Sequence, residues 1–167
     1  MSDVEKCVEL LSRNALTVSF AESCTGGLVA QRLTSVSGAS AVFEYGAVTY
    51  SDRIKHRILG VSESTLASYT AVSEQTVIEM ARGVMELSGS DFAASVSGIA
   101  GPSSDSSGAP VGLIWICVCD RASVVTRRLL NNFDGDVRSK NRNAAADAVF
   151  EMLRDLLENT EVKTNER

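Results

Sequence analysis

The fold turns on LTVSFAESCTGGLVAQRLTSV, residues 16–36. Leu16 to Phe20 is a run rich in strand-forming residues, and it predicts a strand. AESCTGG, residues 21–27, breaks that run with small and polar side chains. LVAQRLTSV then places apolar residues at helical spacing. A strand, a tight turn and a helix in this order is the unit from which parallel α/β sheets are assembled. Gly26 and Gly27 are expected in the first turn of that helix.

The same alternation continues on both sides. Ser2 and Glu5 have the spacing of a capping box ahead of VEKCVELLSR, which predicts an opening helix. VFEYGAVTY, residues 42–50, alternates as a second strand. SDRIKHRIL, residues 51–59, predicts a short helix closed by Gly60. Ser62-Glu63 opens another, and Ser73-Glu74 a longer one with Val77, Met80, Ala81, Val84 and Met85 on one face and Gly89 at its end. Phe92 to Ser97 predicts a buried strand. It leads into GIAGPSSDSSGAP, residues 98–110, a loop longer than most connections and therefore a candidate for function. VGLIWICVC, residues 111–119, predicts a central strand, and ASVVTRRLL, residues 122–130, its neighbour. A closing helix carries Ala145, Val149, Met152, Leu153 and Leu156 as its apolar stripe. The pattern predicts one domain over residues 1–157, a three-layer α/β/α sandwich with a mixed, mostly parallel sheet, and a polar, frayed tail over 158–167.

Composition narrows the function. The 167 residues carry 16 Lys+Arg against 21 Asp+Glu, a net charge of −5, which argues against nucleic-acid or anionic-membrane binding. No run approaches the roughly 20 apolar residues of a membrane span. The acidic N-terminus lacks the basic region of a signal peptide, so the cytoplasm is the expected compartment. Cys7, Cys24, Cys117 and Cys119 form no CxxC pair, and the lone His56 completes no zinc site with them, so core thiols and no metal are expected.

Four groups of residues could carry chemistry. In an open α/β sheet, ligands bind beyond the carboxyl ends of the strands. There the AESCTGG turn would set the Ser23 hydroxyl beside free N–H groups of a helix N-terminus, the geometry of a nucleophile next to an oxyanion hole. The simpler reading makes Ser23 or Thr25 an N-cap. Lys55 is a possible base if burial lowers its pKa, although a lysine on a short helix is more often solvated. His56 follows it directly and would point about 100° away, so the two do not serve one site. Ser97-Gly98-Ile99-Ala100-Gly101-Pro102 is a second strand running into a glycine-rich loop, without the phosphate-loop or GxGxxG pattern. Arg127, Arg128, Arg138 and Arg142 are candidates for phosphate contact, against surface scatter. Cys24 is a rival nucleophile if a helix N-terminus lowers its thiol pKa.

Taken together, AESCTGG, GAVTYSDRIKHRILGV (46–61), AVSEQTVIEMARG (71–83), VSGIAGP (96–102) and PVGLIW (110–115) resemble, in the same order, the motifs of the CinA C-terminal domain family. The resemblance runs from about Ala15 to Leu157. Members include nicotinamide mononucleotide deamidases, so it implies an amidohydrolase that releases ammonia and leaves nicotinate mononucleotide, with no cofactor. It implies Ser23 as nucleophile, Lys55 as general base and Tyr50 as a hydrogen-bonding assistant. Thr25, Gly26, Gly27, Ser97, Gly98, Gly101, Arg138 and Arg142 are the expected substrate contacts. It also implies a stand-alone, homo-oligomeric form acting on a small mononucleotide. Asp52 stands where the family usually has Asn, and residues 103–109 lack its Gly-Gly pair and Lys. These departures keep open an alternative, a non-catalytic nucleotide-binding or regulatory module of the same fold.

Overall fold

The computed structural model describes the backbone of residues 1–165 and the side chains of residues 1–160. Helix α1 spans Asp3–Arg13, and both halves of the Ser2–Glu5 capping box are formed. Strand β1 spans Val18–Glu22, followed by α2 (Leu28–Thr34), a single 3₁₀ turn (Ala39–Ala41) and β2 (Phe43–Val48). Helices α3 (Asp52–Leu59), α4 (Glu63–Tyr69) and α5 (Glu74–Ser88) come next, then β3 (Phe92–Gly98), β4 (Leu113–Cys119), β5 (Val124–Leu130) and α6 (Val137–Asn165). The expected tail begins inside α6, and its side chains from 161 onward lie outside the described residues.

The strands lie in the order β2-β1-β3-β4-β5. β1 pairs in parallel with β2 and β3, whereas β4 is antiparallel to both β3 and β5. Four strands therefore share a direction and β4 opposes them, giving the mixed sheet. Helices α1, α2 and α6 cover one face over Phe20, Val96, Ile114 and Ile116. α5 covers the other with α3 and α4 packed on it, over Ala21, Ala93, Cys117 and Cys119. All four cysteines are buried and unpaired. Among the described residues no helix is long and apolar enough to cross a membrane.

Two local expectations are corrected. β1 begins two residues late, because Leu16 still bonds back to Leu11 (2.9 Å) and Thr17 is held by the Asp91 carboxylate (2.9 Å). It ends two residues late as well, since Ala21 and Glu22 pair on both sides with β2 and β3. Gly26 and Gly27 lie outside α2. Their φ values of 58° and 97° belong to the left-handed region, which a right-handed helix cannot contain.

Candidate active site

The site forms where the carboxyl ends of β1, β2 and β3 meet. Ser23 leaves β1 with its N–H still bonded to Val96 of β3 (3.0 Å), so its backbone is fixed by the sheet. Its side chain is almost buried, at 8% exposure. Lys55 comes from α3, which starts behind the Ser51 N-cap and turns Lys55 and Leu59 inward. Lys55 is 1% exposed, and its Nζ lies 3.1 Å from Ser23 Oγ, 2.9 Å from the Thr49 carbonyl and 3.3 Å from the Tyr50 carbonyl. Among the described residues no carboxylate bonds to it. Burial lowers its pKa from the ordinary lysine value, and the nearby Asp52 charge works in the opposite direction.

The pair opens onto a cavity of about 240 Å³ lined also by Cys24, Tyr50, Asp52, Ser97, Gly98 and Gly101, with Ser103 to Asp105 and Arg138 at its rim. Arg138 donates from Nη1 to the Gly101 carbonyl (2.8 Å) and from Nη2 to the Tyr50 hydroxyl (3.1 Å). One arginine at the start of α6 thus ties two walls together. Burial pushes the Cys24 thiol up to about 12, so it is protonated at neutral pH, against the rival thiol nucleophile. His56 is exposed and bonds through Nδ1 to the Val61 carbonyl (2.8 Å), away from the cavity.

Residues 2–157 match the family model of the CinA C-terminal domain. The chain belongs to the CinA C-terminal domain family. It is 48% identical to the nicotinamide-nucleotide amidohydrolase PncC of Enterobacter agglomerans, over 85% of this chain and 86% of that one. It is also 48% identical to a putative competence-damage inducible protein of a Thermoanaerobacter, over 83% of this chain but only 33% of that longer protein. The fold matches a CinA superfamily protein of Klebsiella pneumoniae with a TM-score of 0.87 and 33% identity, covering 94% of this chain and 96% of that one.

Within this CinA domain the expected contacts separate into two layers. Ser23, Tyr50, Lys55, Ser97, Gly98, Gly101 and Arg138 line the cavity, while Thr25, Gly26, Gly27 and Arg142 do not. Arg142 bonds to the Thr25 carbonyl (2.7 Å), and Arg127 is paired with Glu151 (2.8 Å). The expected free donors at the head of α2 are corrected too. The Gly26 N–H returns to the Ser23 carbonyl (3.0 Å), and Gly27, Val29 and Ala30 donate to the buried Glu22 carboxylate. The N–H groups of Cys24 and Thr25, inside that turn, are given to no other oxygen among the described residues.

Sequence reasoning passed over Glu22 and Asn141. Glu22 carried a signal, an acid just ahead of a helix start, where the dipole favours it. Asn141 is fully buried and donates to the Ala100 carbonyl (3.0 Å), fixing the loop after β3 from α6. Nothing in its sequence neighbourhood marked it.

Proposed function

We propose that this chain is an amidohydrolase that converts nicotinamide mononucleotide to nicotinate mononucleotide and ammonia, with Ser23 as nucleophile and Lys55 as its base. The buried 3.1 Å contact between Lys55 Nζ and Ser23 Oγ carries the reading. The identity of this chain to a relative named as a nicotinamide-nucleotide amidohydrolase supplies the substrate.

The proposed role requires a neutral lysine, and burial favours that form. A neutral amine has two N–H groups and one lone pair. Lys55 Nζ donates to the Thr49 and Tyr50 carbonyls and to Ser23 Oγ; once it is neutral, the two carbonyls can keep its N–H groups and its lone pair can accept from the Ser23 hydroxyl. At its ordinary pKa only about one lysine in 10³ would be neutral at pH 7, so the lowering by burial is essential. Lys55 removes the Ser23 proton as Oγ adds to the carboxamide carbon. The N–H groups of Cys24 and Thr25, which no oxygen among the described residues accepts, are the donors for the resulting oxyanion, each worth about 3 kcal/mol of barrier. The Lys55 ammonium protonates the leaving nitrogen, ammonia departs, and an ester on Ser23 remains. Lys55 then activates water, which releases the carboxylate and restores Ser23. Arg138 at the rim is the candidate phosphate contact, and the Tyr50 hydroxyl it holds is an assistant.

The reading extends to a cytoplasmic homo-oligomer that binds neither nucleic acid nor membrane. Exposed Val124, Val125 and Leu130 on edge strand β5 favour pairing with a second copy. Sedimentation showing only monomer would remove that part.

Ammonia release from the mononucleotide is the test. Ser23→Ala is expected to lose at least ~10³-fold in kcat with binding retained, because the covalent step is gone. Cys24→Ser is expected to stay close to wild type. Near-normal turnover by Ser23→Ala would reject the assignment, and a collapse in Cys24→Ser would transfer it to the thiol.

A further inference from the structure

Glu22 is an oddity by burial alone, a carboxylate 2% exposed to which no cation among the described residues is bonded. Its two oxygens accept four hydrogen bonds. Oε2 takes the Thr25 hydroxyl (2.6 Å) and the N–H groups of Gly27 (3.0 Å) and Val29 (3.1 Å), and Oε1 takes the N–H of Ala30 (2.9 Å). All four donors lie on the turn and first helical residues that follow Ser23. Gly27 at the N-cap position has no side chain to do this capping, so the acid on the preceding strand does it from inside.

From this geometry we infer that Glu22 is a positioning residue for the nucleophile. Glu22 is not among the residues that line the cavity. It binds the turn from Thr25 to Ala30 against the end of β1, and Ser23 sits between those two anchors. It also decides which donors stay open. With Gly27, Val29 and Ala30 committed to the carboxylate, the amides left beside Ser23 are those of Cys24 and Thr25. An acid at this place therefore sets both where Oγ lies and where an oxyanion would be received. The inference rests on the proposed role of Ser23, and the choice of substrate does not enter it.

Glu22→Gln keeps the shape but replaces one acceptor oxygen by an NH₂ that faces backbone N–H groups, so at least one N–H loses its acceptor and the turn must shift. A misplacement of this kind costs about 10- to 100-fold in rate when it moves a reacting group. Wild type, Glu22→Gln and Glu22→Asp are treated with a fluorophosphonate, which phosphonylates an activated serine irrespective of substrate, and the label is located by mass spectrometry. Ammonia release from the mononucleotide is followed in parallel. The expected result is a labelling rate constant at Ser23 reduced at least ~10-fold in Glu22→Gln, with kcat reduced alike and KM within about threefold. Glu22→Asp, which keeps the charge, is expected to recover part of both rates. A purely structural role would instead lower the fraction of molecules that label and leave the rate constant of the folded fraction unchanged; that outcome overturns the inference, as does wild-type labelling in Glu22→Gln. If Glu22→Gln does not fold, Glu22→Asp decides by the same rate constant. Absent labelling of wild type at Ser23 also overturns it. Slowed labelling in a protein that releases no ammonia would reject the proposed substrate and leave the role of Glu22 standing.

Discussion

Lys55 concentrates the chemistry of single residues. Its pKa is lowered by burial, so kcat/KM is expected to rise with pH through a value below the ordinary lysine range. Asp52 opposes that shift by favouring the ammonium. Asp52→Asn should move the rising limb to lower pH by a fraction of a unit, since one solvent-screened charge is worth about 1 kcal/mol. A limb that moves upward would refute the electrostatic account. Lys55→Arg should be inactive, because a guanidinium stays protonated, and substantial turnover would show that only positive charge is needed. The same lowered pKa bears on stability. Between the folded value and the ordinary one, the unfolded chain binds more protons than the folded chain, so the contribution of Lys55 to stability grows as pH rises. Wild type should therefore gain thermal stability relative to Lys55→Met between neutral pH and about pH 10. Melting curves that stay parallel across that range would contradict it. Little of this was legible in the sequence, where a lysine on a short amphipathic helix reads as a solvated one. Its burial depends on β2 lying beside β1, with Glu22 paired to Val48, which brings residues 49 and 50 over Ser23.

At the scale of elements the sequence was far more transparent. Helical spacing located α3, and the serines at the starts of α4 and α5 located those two, because Ser62 and Ser73 each accept the N–H three residues on; Ser51 does the same for α3. The failures came where long-range partners override local pattern, as at β1, whose ends are set by Asp91, β2 and β3. Gly83 is another such place. It sits inside α5, where Ala would ordinarily gain up to about 1 kcal/mol. A Cβ there, however, would stand 1.9 Å from the Leu59 carbonyl oxygen at the end of α3. Gly83→Ala should thus destabilise the fold by about 1–3 kcal/mol through overpacking. It should also lower kcat, because the helix it displaces carries Lys55 one turn away. A raised melting temperature in this variant would show that the two helices are free to separate.

For the whole molecule, three layers make the site a joint product of distant segments. Ser23 and Ser97 come from the sheet, Lys55 from the helical layer containing α5, and Arg138 from the opposite one. Strand and helix order made the layers and the Ser23 edge readable, whereas the ties from α6 needed the tertiary structure. Among the described residues no three His, Cys, Asp or Glu side chains converge as a metal site. Dialysis against a strong chelator is accordingly expected to leave ammonia release unchanged, and a loss restored by one divalent ion would overturn the mechanism. The cradle of Lys55 has a consequence for heredity. Its two carbonyl acceptors belong to the main chain of Thr49 and Tyr50, and every codon at those positions still encodes them. Point mutation can alter the walls of the cavity at residue 50 while leaving the hydrogen-bond acceptors of Lys55 in place. A lineage can therefore explore new ligands there without first disturbing the seat of the buried Lys55 amine.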